Sequence, residues 1–161
     1  MTESIADLID RLASRGETVA TAESLTGGLL AATIVDVPGA SAVFRGGLVV
    51  YATDLKATLA GVPLDLLNER GPVDADVAAA LAVGARERCD ATWGMATTGV
   101  AGPTAQDGVA VGTVYIAVSG PSSAGQALRL NGDRPAIRAG AVRAAIELLS
   151  TAIDRDPDRQ T

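Results

Sequence analysis

Apolar positions along this chain fall into short blocks that switch between helical spacing and unbroken or alternating runs. Ile5, Leu8, Ile9 and Leu12 recur at helical spacing and predict an amphipathic helix over residues 4–14, with a Ser4-x-x-Asp7 capping box, an Asp7 to Arg11 pair and Gly16 as its stop. The partly β-branched run 18–22 reads as a strand, and 29–34 continues as a helix without a breaker until Pro38-Gly39. Leu48-Val49-Val50-Tyr51 is a continuous apolar run, which predicts a parallel strand covered on both faces. Short helices are expected over 53–60 and 64–70, bounded by Gly61-Val62-Pro63 and Gly71-Pro72. Residues 74–88 form the clearest internal helix, with Asp74 or Asp76 as its cap and Val77, Ala80, Leu81 and Gly84 on one face. A strand follows over 91–98. Two more, over 109–118 and 125–130, are joined through Gly120-Pro121-Ser122-Ser123 as an antiparallel hairpin. Asp133 caps a last helix beginning Arg134-Pro135, whose stripe is Val142, Ile146, Leu149 and Ile153, and 154–161 reads as a charged, frayed tail.

Strands alternating with helices, closed by one hairpin, predict a single α/β domain over residues 1–153. Its expected form is a three-layer α/β/α sandwich around a mostly parallel, mixed sheet. Ligands of such domains bind at the carboxyl ends of the strands, and the regions of Ser24, Tyr51 and Thr98 all lie at such ends. The stretch Thr21-Ala22-Glu23-Ser24-Leu25-Thr26-Gly27-Gly28 sets a hydroxyl and paired glycines between a strand and a helix. Ser24 therefore fits two descriptions, a helix N-cap and a nucleophile whose neighbours Leu25, Thr26 and Gly27 offer free N–H groups to an anion.

Composition narrows the chemistry. The 161 residues are 48% hydrophobic and only 2% aromatic, so a core of small side chains is expected, without aromatic stacking platforms. A formal charge of −6 without a basic run argues against nucleic acid and anionic membrane as partners, so any phosphate must be met by locally placed arginines. No apolar stretch has membrane-spanning length, and acids stand near the N-terminus where a signal peptide would carry bases, which predicts a cytoplasmic protein. Cys89 is the lone cysteine and there is no histidine, so neither a disulfide within the chain nor a metal site is expected. The missing histidine also removes the Ser-His-Asp and Cys-His schemes, and a serine nucleophile here needs lysine, tyrosine or carboxylate as its base. No G-x-G-x-x-G, Walker A lysine or G-x-S-x-G elbow occurs at the strand ends, and Tyr51 and Lys56 are five apart, outside a Tyr-x-x-x-Lys pair. No cofactor is expected.

Four pieces, Thr21-Ala-Glu-Ser-Leu-Thr-Gly-Gly28, Tyr51-Ala-Thr-Asp-Leu-Lys56, Thr98-Gly-Val-Ala-Gly-Pro103 with Val111-Gly-Thr-Val114, and Gly132-Asp-Arg134 with Arg138, together resemble the C-terminal domain of the competence/damage-inducible protein CinA. Stand-alone versions of that domain are nicotinamide mononucleotide deamidases. The resemblance covers nearly the whole chain, from about Ser4 to Ile153, with the larger CinA N-terminal domain absent. It implies an α/β/α fold, frequent dimerisation as a homodimer, and a small pyridine nucleotide as the partner, hydrolysed to nicotinate mononucleotide and ammonia. A non-catalytic nucleotide-binding or competence-associated module is the rival reading. Two stretches depart from the family pattern: Phe44-Arg45-Gly46-Gly47 replaces Phe-Glu-Arg-Gly, and Thr104 to Ala110 replaces a glycine-rich loop with Glu-Lys-Pro, predicting a different substrate-contacting edge.

By resemblance Ser24 is the nucleophile. The absence of histidine points independently to Lys56 as its base, with Tyr51 relaying or orienting the proton. Thr26, Gly27 and Gly28 then line the substrate through the helix start, and Thr98 and Gly99 hold the ribose or the amide. Arg134 and Arg138 meet the phosphate. Each residue has a plainer reading beside this one. Lys56 fits a solvated helix, Tyr51 a surface strand position, Thr98 and Gly99 a strand-ending turn, and Arg138 a surface pair with Asp133.

Overall fold

A computed structural model describes residues 3–156 and resolves them into twelve elements. In order these are α1 (Ile5–Arg15), β1 (Val19–Glu23), α2 (Leu29–Val35), a 3-10 turn (Ala40–Ala42), β2 (Phe44–Val49), α3 (Thr53–Thr58), α4 (Leu64–Arg70), α5 (Ala75–Arg88), β3 (Trp93–Gly99), β4 (Thr113–Ser119), β5 (Ala124–Arg129) and α6 (Arg134–Asp154). The sheet order is β2-β1-β3-β4-β5. β1 pairs in parallel with β2 and β3, while β3–β4 and β4–β5 are antiparallel, so only β4 runs against the other four. With helices on both faces, the domain is the expected three-layer α/β/α sandwich with a mixed sheet.

Side-chain size divides the two faces. Val19, Trp93, Met95, Val114 and Ile116 pack with Leu8, Ile9 and Leu12 of α1, Leu30 and Ile34 of α2, and Ile137, Leu149 and Ile153 of α6. The alternate residues Ala20, Ala22, Ala96 and Ala117 pack against Val77, Ala78, Leu81, Ala82 and Ala85 of α5. Small side chains let α5 lie close to the strands, as the alanine-rich composition suggests. A Cβ at Gly94 of β3 would overlap the Ala82 carbonyl oxygen. The opposite face carries the bulk.

Several boundaries match their expectations for local reasons. Ser4 caps α1, accepting the Asp7 N–H at 3.2 Å. Asp74 caps α5 by accepting from Asp76 and Val77, and Asp133 caps α6 by accepting from Ala136. Others do not match. Arg11 pairs with Glu3 at 2.6 Å and with Asp154, not with Asp7, because α6 brings a carboxylate nearer than the same helix offers. β2 begins at Phe44 and sits at the sheet edge, where its residues alternate between half-buried and exposed; it is parallel to β1 but not covered on both faces. β4 begins at Thr113, since Gln106 and Val109 exchange hydrogen bonds across a tight Asp107-Gly108 turn that keeps the preceding residues out of the sheet. Of the expected tail, Asp154 ends α6 and Asp156 is buried, while 157–161 lie outside the described residues. No helix of the described residues is long and apolar enough to cross a membrane.

Candidate active site

The carboxyl ends of β1, β2 and β3 open onto a cleft of about 270 Å³, lined among others by Ser24, Leu25, Tyr51, Lys56, Thr98, Gly99, Gln106 and Arg134. Ser24 follows directly on β1, and its N–H donates to the Thr97 carbonyl at 3.0 Å, which ties it to the end of β3. It does not cap α2. The chain turns through Gly27 and Gly28, at φ 57° and 102°, and Gly28 occupies the cap position. These left-handed conformations explain the paired glycines. What satisfies the helix start is Glu23, only 1% exposed, whose carboxylate accepts from the Leu30 N–H at 2.8 Å and the Ala31 N–H at 3.1 Å.

Lys56 projects from α3 into the interior and is 1% exposed, so it is not a solvated helix lysine. Its Nζ lies 3.1 Å from Ser24 Oγ, 2.8 Å from the Val50 carbonyl oxygen and 3.4 Å from that of Tyr51. No carboxylate forms an ion pair with it among the described residues. Burial disfavours the ammonium and lowers its pKa from 10.5 to about 8.

The remaining predicted residues divide between the cleft and its scaffold. Tyr51 is 59% exposed, its hydroxyl accepts from Arg134 at 3.0 Å and its backbone carbonyl accepts from Lys56 Nζ; among the described residues its hydroxyl makes no hydrogen bond to Ser24 or Lys56. Arg134 also donates to the Gly102 carbonyl at 2.6 Å and spans the two walls of the cleft. Thr98 and Gly99 line the cleft, but the Thr98 hydroxyl is engaged with the Pro72 carbonyl at 2.6 Å.

Arg138 is outside the lining. Its guanidinium donates to the carbonyls of Leu25 and Thr26 at 2.9 and 2.8 Å, so it clamps the Ser24 turn instead of facing the cleft or pairing with Asp133. The Thr26 hydroxyl is fully buried against that of Thr97 at 2.7 Å, and Gly27 and Gly28 shape the turn without lining the cleft. The Gly27 N–H is not free, since it donates to the Ser24 carbonyl. The Leu25 and Thr26 N–H groups make no hydrogen bond among the described residues.

Sequence reasoning missed Glu23, Pro72 and Gln106. Glu23 stood inside the key motif, and a carboxylate just before a helix is a signal for capping; Pro72 and Gln106 lie in loops where no periodicity points to the cleft. Arg45, in the first divergent stretch, donates to the Cys89 carbonyl at 2.9 Å and is absent from the cleft, whereas Thr104, Ala105 and Gln106 of the second line it. No group of three or more metal-ligating side chains converges among the described residues.

Comparison with known proteins gives a consistent picture. The family described as CinA C-terminal domain matches residues 1–153. A CinA-like protein of Frankia casuarinae is 52% identical over 139 residues, 86% of this chain and 32% of that protein, so the chain spans about a third of the length of the curated relatives it matches. Among solved structures, a competence-damaged protein (CinA) superfamily protein from Escherichia coli is similar with a TM-score of 0.86 and 32% identity, covering 92% of this chain and 90% of that one. The competence/damage inducible protein CihA from Agrobacterium tumefaciens has a TM-score of 0.86 and 33% identity, covering 95% of this chain and 98% of its own.

Proposed function

The chain belongs to the CinA C-terminal domain family, and from that premise we propose that it is a serine amidohydrolase that converts nicotinamide mononucleotide to nicotinate mononucleotide and ammonia. The observation that carries this reading is the 3.1 Å contact between buried Lys56 Nζ and Ser24 Oγ.

A neutral lysine has two N–H donors and one lone pair. The Val50 and Tyr51 carbonyls take the two donors, and the lone pair is left for the Ser24 hydroxyl proton. With a pKa of about 8, about a tenth of Lys56 is neutral at pH 7, enough for a general base. Ser24 Oγ attacks the carboxamide carbon as its proton passes to Nζ, and the oxyanion is met by the Leu25 and Thr26 N–H groups. The ammonium then gives that proton to the leaving nitrogen, and ammonia departs from an acyl-serine. Water attacks the ester, Lys56 takes its proton, and the acid leaves with Ser24 restored. The substrate's phosphate is held by Arg134, whose guanidinium retains donors beyond the two it uses on Gly102 and Tyr51.

Ammonia release from nicotinamide mononucleotide, with nicotinamide and asparagine as controls, tests the reading together with Ser24→Ala. Because Ser24 caps no helix, the variant should keep the wild-type melting temperature within a few degrees and lose turnover. Release by folded Ser24→Ala would reject the serine mechanism, and binding without release by wild type would leave a binding module.

A further inference from the structure

Glu23 is a buried carboxylate next to Ser24 that the reaction above does not use. It is 1% exposed, pairs with no cation among the described residues, and spends its two oxygens on separate N–H groups of the first turn of α2. Its backbone is equally held, with its carbonyl accepting the Val50 N–H at 2.9 Å. One residue thus joins the end of β1, the chain leading from β2 to Tyr51, and the start of α2. Ser24 is the next residue, and the turn of 24–28 is enclosed between the two points that Glu23 connects.

The chemistry of this brace is specific. Both N–H groups need an acceptor, so a glutamine in place of Glu23 can satisfy one through its oxygen but must turn its NH2 towards the other. An aspartate keeps the charge and is one methylene too short to reach both from the same backbone position. The carboxylate also fills the helix start that would otherwise be open to an external anion, so α2 cannot serve the substrate there. The turn has a second anchor in Arg138, which holds the Leu25 and Thr26 carbonyls from α6. Arg138 fixes the middle of the turn. The Ser24 N–H is tied to the Thr97 carbonyl of β3, and Glu23 is the side chain that ties the end of β1, one residue before Ser24, to the start of α2.

We infer that Glu23 is a positioning residue, whose carboxylate braces β1 against α2 so that Ser24 Oγ is held at Lys56. The inference rests on Ser24 being the nucleophile, and its test separates the two claims by using a reagent indifferent to the natural substrate. Labelling of Ser24 by an alkyl fluorophosphonate is followed by mass spectrometry in wild type, Glu23→Gln and Glu23→Asp, at a temperature where melting curves show all three folded. Turnover of nicotinamide mononucleotide is measured alongside. Both variants should label Ser24 about tenfold to a hundredfold more slowly, with kcat reduced in parallel and KM within about twofold, since misplacement by an ångström costs of that order.

Labelling at the wild-type rate in either folded variant overturns the positioning role while leaving Ser24 as the nucleophile. A rise in KM at unchanged kcat overturns it as well. If Glu23→Gln does not fold, Glu23→Asp decides. If neither folds, Glu23→Ala is tested with and without sodium acetate, which supplies the missing acceptor; labelling that acetate restores supports the role, and failure to restore it counts against it. Wild-type protein that does not label at Ser24 overturns the nucleophile and this inference together.

Discussion

Lys56 carries the sharpest conflict between a residue and its surroundings, a cation removed from water with no counter-charge. Because its pKa falls to about 8, the active neutral form is gained as pH rises. The predicted kcat/KM profile therefore climbs from pH 6 with a midpoint near 8, and a midpoint near 6 or above 10 would exclude Lys56 as the base. Lys56→Arg should not restore turnover lost in Lys56→Met, because arginine stays charged at these pH values. The two arginines separate just as cleanly. A charge-assisted contact contributes roughly 1.5–3 kcal/mol, so Arg134→Ala should weaken nicotinamide mononucleotide by one to two orders of magnitude and leave the riboside nearly unaffected. Arg138→Ala, which releases two carbonyls of the turn and no ligand group, should reduce turnover of both by a similar factor. Isothermal titration and initial rates on the two ligands distinguish these outcomes. At this scale Ser24 was legible through the family resemblance and Lys56 as one of the bases, with tyrosine and carboxylate, left open once histidine was absent; the 3.1 Å contact between them was not. The sequence misdirected Arg138, since a guanidinium at a helix start satisfies a backbone turn or a phosphate equally well, and only the path of α6 past residues 25–26 decides.

Among the elements, the close approach of α5 to β3 leaves no room for a single added methyl group at Gly94. A Cβ at Gly94 would overlap the Ala82 carbonyl oxygen, which is backbone and cannot rotate away. Gly94→Ala should therefore destabilise the fold by about 1–3 kcal/mol or more through overpacking. Gly125→Ala, where the nearest such contact is an ordinary 3.7 Å, serves as the control. Urea denaturation of the two variants makes the comparison. α4 was legible from the breakers that bound it, α5 from its apolar face and capping aspartate, and the hairpin from its Gly120-Pro121-Ser122-Ser123 turn, whereas the start of β4 was not. β2 was not legible in the same way. Its apolar run ends beyond the strand, where Val50 is fully buried and Tyr51 is mostly exposed, and an edge position leaves no mark that local periodicity can show.

For the molecule as a whole, burying Lys56 is a cost that the rest of the fold carries below its pKa. Between pH 8 and 10.5 the unfolded chain binds a proton at this position that the folded chain has released, so folding stability gains with rising pH across that window. A difference of one bound proton changes stability by about 1.4 kcal/mol for each pH step of one, which sets the gain on the order of 3 kcal/mol. The difference in unfolding free energy between wild type and Lys56→Met, measured at pH 7 and at pH 10, should move in favour of wild type by that order. The three-layer architecture was legible from the alternation of strands and helices. The sorting of bulky residues to one face and alanines to the other was not, because it depends on which strands are neighbours.

That sorting leaves the single tryptophan in an unusual position. Trp93 is fully buried at the amino end of β3, and its Nε1 donates to Glu17 at 2.8 Å, while the cleft lies at the opposite end of the same strand. The chain therefore carries an intrinsic fluorophore that senses loss of the core and is remote from substrate. Its emission should be blue-shifted when folded, shift to the red in one transition on unfolding, and stay unchanged on ligand addition. It gives an optical readout of folding for every variant above, without a label and without interference from catalysis.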